Sequence, residues 1–257
     1  MANLVIPLSA LRWLVLSAGL LLAAVAPQPA QAGERLTVVE LFTSQGCPLC
    51  PPADAFLGQL TQRSDILGLS FHVGYWDYIG WADPFSKPAY TKRQEKYLDR
   101  FGLPYVFTPQ VVVDGRMHAS GNRQDNVKRA IKAAGKEQRG RIDVELTRVS
   151  AGQVRIQIPE PEAVYRGEAE IILIRFDEKK QTVVSRGENS GKTLINYNVV
   201  RIMRPVGDWN GKAVDMVQRL AELDGPGGDF CAVIIQERAQ GRILGAAVVD
   251  MRGPGPG

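Results

Sequence analysis

Between an apolar run from Leu36 to Phe42 and an apolar-periodic segment from Ala53 to Gln62 stands Cys47-Pro48-Leu49-Cys50, followed at once by Pro51 and Pro52. The order predicts a strand, a tight connection and a helix, because proline is accommodated in the first turn of a helix and the residues after it carry apolar side chains at helical spacing. Two thiols therefore fall at a strand-to-helix junction. A cysteine there faces unpaired backbone N–H groups and the positive end of the helix dipole, both of which favour thiolate over thiol. On this reading Cys47 is the exposed, reactive sulfur. Cys50, about one turn into the helix, is placed to attack a mixed disulfide formed at Cys47.

What such a pair can do depends on the redox compartment. Arg12 precedes an apolar run from Trp13 to Ala26, and Ala30-Gln31-Ala32 offers a small-residue cleavage site. The run is too short for the roughly 20 residues of a spanning helix. Residues 1–32 are thus expected to be a secretory signal, leaving a periplasmic or secreted chain without a stable membrane span. A formal net charge of +4, spread along 257 residues, gives no nucleic-acid footprint. Three cysteines are too few for a disulfide scaffold, and a chain of this length can bury a core without one.

From Leu36 to Lys136 strand-like and helix-like segments alternate. Leu69 to Tyr75 is strand-like. Pro88 to Arg100, closed by Gly102, reads as a helix. Gln110 to Val113 runs into the hairpin signal Asp114-Gly115, and Arg123 to Ala134 reads as a closing helix. The predicted order is β-α-β-α-β-β-α. Beyond Gly140 the pattern changes to short strands separated by turns: Ile142 to Leu146, Val154 to Ile158, Ala169 to Arg175, Thr193 to Met203, Phe230 to Gln236 and Ile243 to Val249. Val214 to Leu223 is ambiguous, with alternation at Val214 and Met216 favouring strand. The expected organisation is an α/β domain over residues 33–139, a mostly β, sandwich-like domain over 140–250, and a flexible tail from 251 to 257.

The β-α-β-α-β-β-α order with a CxxC after the first strand resembles the thioredoxin-like fold. Closer still, Val39 to Asp54, Tyr75-Trp76-Asp77, Thr108-Pro109-Gln110, and the stretches from Arg186 to Asn189 and Asn198 to Arg201 resemble a family of exported bacterial proteins known as domain of unknown function 1223. That family implies a thioredoxin-like N-terminal part and an export route, with no settled activity. The thioredoxin resemblance implies a cis-proline facing the dithiol, with Pro109 in the matching place, Pro104 as the competitor, and Thr108 presenting its backbone to substrate. It also implies a buried acid in the first strand. Glu40 is the candidate proton acceptor for Cys50, at a spacing one residue longer than usual; a salt bridge is the other reading of Glu40.

The expected function is that of an exported thiol-disulfide oxidoreductase acting through Cys47 and Cys50, needing no cofactor or metal, on exported proteins or small thiols. Pro48 and Leu49 match neither the Gly-Pro of reductive thioredoxin nor the Pro-His of strongly oxidising relatives, so redox direction stays open. Two alternatives stand beside it: a binding or assembly module with a fixed disulfide, and a copper or zinc metallochaperone using the cysteines with His72 or His118. Tyr75, Trp76, Tyr78 and Trp81 either line a groove beside the dithiol or pack a local insertion. The segment from Gly187 to Thr193 has three residues between its glycines where a phosphate loop has four, so it reads as a turn. Cys231, in an apolar run, reads as a buried hydrophobe.

Overall fold

The computed structural model describes residues 35–137, 140–223, 225 and 227–253. The expected signal segment, residues 1–32, lies outside them. Among the described residues no helix is long and apolar enough to cross a membrane.

Eleven strands and three α-helices make up the described chain. The first half holds β1 (Thr37–Thr43), α1 (Pro51–Leu60), β2 (Ile66–His72), α2 (Pro88–Phe101), β3 (Gln110–Val113), β4 (Met117–Ser120) and α3 (Gln124–Lys136). The second holds β5 (Glu145–Ser150), β6 (Gln153–Ile158), β7 (Ala169–Val183), β8 (Thr193–Trp209), β9 (Val214–Arg219), β10 (Phe230–Glu237) and β11 (Ile243–Asp250). The chain is a mixed α/β protein built on one large sheet of order β11-β10-β7-β8-β2-β1-β3-β4, with a second sheet, β5-β6-β9.

The boundary expected near residue 140 does not separate two sheets. β2 joins β8 in parallel at a single register pair, Ser70 with Val199. Asn198, at φ 45°, reinforces the seam by donating from Nδ2 to the Gly68 carbonyl at 2.7 Å. Helix α2 crosses to the later strands as well: Tyr90 Oη donates to the Val200 carbonyl at 3.1 Å, and Arg93 Nη2 donates to Gln236 Oε1 at 2.9 Å. In the second half Ile171, Leu173, Val233 and Ile235 of the large sheet share a core with Leu146, Val154 and Ile156 of the second, three-stranded sheet. The first of these sheets is the same one that contains β1 to β4.

Period-2 alternation assigns the faces around β1. Val38 and Phe42 meet Tyr90 and Tyr97 of α2, whereas Val39 and Leu41 meet Phe56 and Leu57 of α1 and Ile131 of α3. The parallel strands β1 and β2, covered on both faces, are buried at every position, as such strands require. The β3–β4 hairpin turns through Asp114 and Gly115, both at positive φ, which suits the twist of the strands they join. Helix α2 starts on Pro88 and stops at Gly102, at φ 62°, where a side chain would be strained. The expected flexible tail is held over its first residues: Met251 N–H donates to the Asp229 carbonyl at 2.8 Å, and Arg148 donates to the carbonyls of Arg252 and Gly253. Residues 254–257 lie outside the described chain.

Candidate functional site

β1 ends at Thr43, and Ser44 to Leu49 form the connection that carries the first cysteine to the N-terminus of α1. Cys47 and Cys50 are joined as a disulfide, with Cα atoms 5.4 Å apart. Cys50 is the N-cap of α1, and Pro51 and Pro52 fill its first two positions. This arrangement revises the expected chemistry of the junction. Neither proline has an N–H, and the next two, of Ala53 and Asp54, donate to the Cys50 carbonyl at 2.9 and 3.0 Å. The helix therefore offers a sulfur its dipole but not its first four N–H groups.

The structure also differs from the expected exposed Cys47: both cysteines are fully buried, while Leu49 between them is 62% exposed. Neighbouring side chains close over the connection. A Cβ added at Gly46 would stand 3.1 Å from Trp76 Cβ, so the connection packs tightly against Trp76. Trp76 Nε1 in turn donates to Thr108 Oγ1 at 2.7 Å. Asn189, in the loop between β7 and β8, is fully buried and donates from Nδ2 to the carbonyls of Gln45 and Cys47, each at 2.9 Å. Sequence reading had only a turn here. The signal was present in the Arg186 to Asn189 stretch, but its partner lies more than 140 residues away.

Thr108 and Pro109 reach the same end of the sheet, because β3 runs antiparallel to β1 and pairs Gln110 with Phe42. The Thr108-Pro109 bond is cis. Gly121 is wedged behind it, since an added Cβ would lie 2.9 Å from Ala53 Cβ and 3.0 Å from Pro109 Cβ. Cys47, Cys50, Thr108 and Pro109 are thus brought together at one end of the sheet, whereas Glu40 points to the other face of β1. There Arg93 Nε donates to Glu40 Oε1 at 2.6 Å, and Tyr97 Oη donates to Glu40 Oε2. The salt-bridge reading of Glu40 describes what is seen. Burial opposes the Arg93 charge, but Glu40 and Tyr97 outweigh it and hold the guanidinium pKa above its usual value.

A polar cluster that the sequence pattern alone does not assemble gathers around the first turn of α1 and the ends of β1 and β2. Asp54, on α1, is fully buried, and the loss of water raises its carboxyl pKa to about 7 against the lowering influence of His72. His72, at the end of β2 beside Thr43 of β1, is fully buried too. Its Nδ1 lies 2.7 Å from Asp83 Oδ2, which also accepts the Gln45 N–H at 2.8 Å. Burial alone would depress the imidazole pKa; the charge and hydrogen bond of Asp83, with the charge of Asp54, reverse this and raise it. Asp83 is correspondingly lowered, burial being outweighed by His72. The short contact between His72 and Asp83 therefore favours the charged form of each.

Four buried atoms of this cluster have no hydrogen-bond partner among the described residues: Thr43 Oγ1, Asp54 Oδ1, His72 Nε2 and Asn196 Nδ2. They come from β1, α1, β2 and β8. Thr43 and Asn196 are near enough to Asp54 to favour its charged form. Gln45 binds the cluster to the dithiol connection: its Nε2 donates to Asn196 Oδ1 at 2.9 Å, and its Oε1 accepts from Trp81 Nε1 at 3.2 Å.

The remaining candidates fall elsewhere. His118 lies against Phe101, with ring centroids 4.9 Å apart and the planes tilted by 37°. Among the described residues no group of three or more His, Cys, Asp or Glu side chains could hold a metal ion. Cys231 is a buried free thiol whose pKa burial pushes up to about 12.

The family described as protein of unknown function (DUF1223) matches residues 38–236. No curated protein matches the chain. An X-ray crystal structure of a protein from Agrobacterium tumefaciens is similar, with a TM-score of 0.73 and 28% sequence identity, over 87% of this chain and 98% of that one.

Proposed function

The chain belongs to the DUF1223 family, and from that premise we propose that it is an exported thiol-disulfide oxidoreductase whose N-terminal half is thioredoxin-like. The reading rests foremost on the position of the Cys47–Cys50 disulfide at the N-terminus of α1, whose first turn also carries the buried acid Asp54. The β2-β1-β3-β4 order, with β1 and β2 parallel and the rest antiparallel, supports the thioredoxin-like assignment.

In the reducing direction, the Cys47 thiolate attacks one sulfur of a substrate disulfide and expels the other as a thiolate. Cys50 gives up its proton and attacks Cys47 Sγ, breaking the mixed disulfide. The protein dithiol loses two electrons and the substrate disulfide gains them. The oxidising direction is the reverse, and the neutral pair Pro48-Leu49 leaves either open. Because both sulfurs are buried, access to Cys47 requires a local movement that uncovers it. Proteins with exposed thiols or disulfides, or small thiols, in the periplasm or outside the cell are the proposed partners.

Trapping tests this reading. A Cys50→Ala variant lacks the resolving thiol and is expected to accumulate mixed disulfides through Cys47 with other exported proteins, visible on a non-reducing gel and absent from a Cys47→Ala, Cys50→Ala control. A folded variant that traps nothing would count against it. The second reading, a binding or assembly module with a permanently closed clip, is favoured by one observation, the complete burial of both cysteines.

A further inference from the structure

We infer that Asp54, not Glu40, accepts the proton that Cys50 must lose before it attacks Cys47, with the His72–Asp83 pair positioning that proton. The inference rests on the redox reading above and assigns the proton-transfer group within it. Its geometric basis is the first turn of α1. The Asp54 N–H closes that turn on the Cys50 carbonyl at 3.0 Å, and side chains four residues apart on a helix lie on one face, with Cβ atoms about 5–6 Å apart. Asp54 thus stands one turn behind Cys50 on the same side, fully enclosed and with an unpaired oxygen. Glu40 fails the same conditions. It sits on the opposite face of β1, and both of its oxygens already accept strong hydrogen bonds, from Arg93 and Tyr97.

The groups around Asp54 suit a proton that comes and goes. His72 and Asp83 supply charges of opposite sign, Thr43 from β1 and Asn196 from β8 supply neutral polar atoms, and Arg201 from β8 acts on His72. A carboxyl titrating near pH 7 in this pocket is matched to the pH at which the exchange runs, which is the condition for efficient proton transfer. In the reducing direction the proton moves from Cys50 Sγ to an Asp54 carboxylate oxygen. The new thiolate displaces the substrate sulfur from Cys47, and the departing substrate thiolate takes up a proton as Asp54 is deprotonated again. No further reactant is needed.

The test uses the full mature chain with glutathione attached to Cys47, and follows release of glutathione by Cys50 as a function of pH. The wild-type rate is expected to rise to a plateau through an inflection near pH 7, the value set by Asp54. Asp54→Asn is expected to lose that inflection and to slow release at pH 7 by at least about tenfold; the same profile in the folded variant would overturn the assignment. His72→Gln keeps the acid and removes the imidazolium that favours its ionised form, so the inflection is expected to move to higher pH. An unmoved inflection would overturn the positioning role even if Asp54→Asn failed to fold. Because glutathione is attached chemically, the outcome is separate from whether Cys50→Ala traps exported proteins.

Discussion

Two buried charged clusters occupy opposite faces of the same strand region, and they are built to different ends. On the α2 face, Glu40, Arg93, Tyr97 and Gln236 bond one another and tie β1, α2 and β10 together. Only Arg93 Nη1 lacks a partner among the described residues of that group. On the α1 face, four atoms of Thr43, Asp54, His72 and Asn196 are unpaired. The first cluster satisfies its charges and thereby locks the large sheet to its covering helix. The second holds an acid whose ionised form the fold disfavours, a state that is tolerated where chemistry needs it.

The largest way to break this contrast is to unpair the first cluster. Arg93→Ala leaves Glu40 as an uncompensated charge and is expected to cost about 3–5 kcal/mol of stability, measured by urea denaturation with the disulfide intact. A loss below about 1 kcal/mol, the range of an exposed ion pair, would remove the distinction between the clusters. The opposite sign is expected on the α1 face. Asp54 has a folded-state pKa raised from 3.8 to about 7, so the fold binds the extra proton between these values. Its contribution to stability is complete below about pH 4 and is lost as pH rises to about 7. Asp54→Asn, which resembles the neutral acid, is accordingly expected to stabilise the protein at pH 8 by roughly 2–4 kcal/mol. The gain should shrink towards pH 5. Destabilisation at pH 8, with the fold preserved, would contradict the assignment of Asp54 as a buried acid held near neutrality.

The His72–Asp83 pair beside it bounds the same pH window. His72 is raised, so what it contributes is present below its ordinary 6.5 and fades as pH rises through its folded value; Asp83 is lowered, so its contribution is lost on the acid side, below 3.8. Stability is thereby favoured on the mildly acidic side of neutrality.

Local signals were readable in the sequence and long-range ones were not. Pro88 and Gly102 marked the ends of α2, and Asp114-Gly115 marked the β3–β4 turn, because each of these residues acts on its own backbone. β7 and β8 run further than their apolar stretches suggest, to Val183 and Trp209, because the polar ends of each pair with the other: Lys179 to Val183 with Tyr197 to Thr193, and Arg204 to Trp209 with Leu173 to Ala169. The single pair between Ser70 and Val199 that fuses the two halves into one sheet has no local signature. Nor has the polar cluster, whose members lie as far apart in the chain as Thr43 and Asn196. Asp54 did carry a clue: an acid beside Ala53 and Leu57, on the apolar stripe that α1 turns towards the sheet. The two prolines before it were equally visible, but their effect on the N–H groups needed the cap geometry to be seen.

The central claim is that the Cys47–Cys50 pair cycles. The most direct measurement is its two-electron reduction potential, obtained by equilibrating the protein with glutathione or dithiothreitol couples and counting free thiols. A cycling pair is expected between about −270 and −120 mV, and a value below about −300 mV, where inert structural disulfides lie, would contradict the claim.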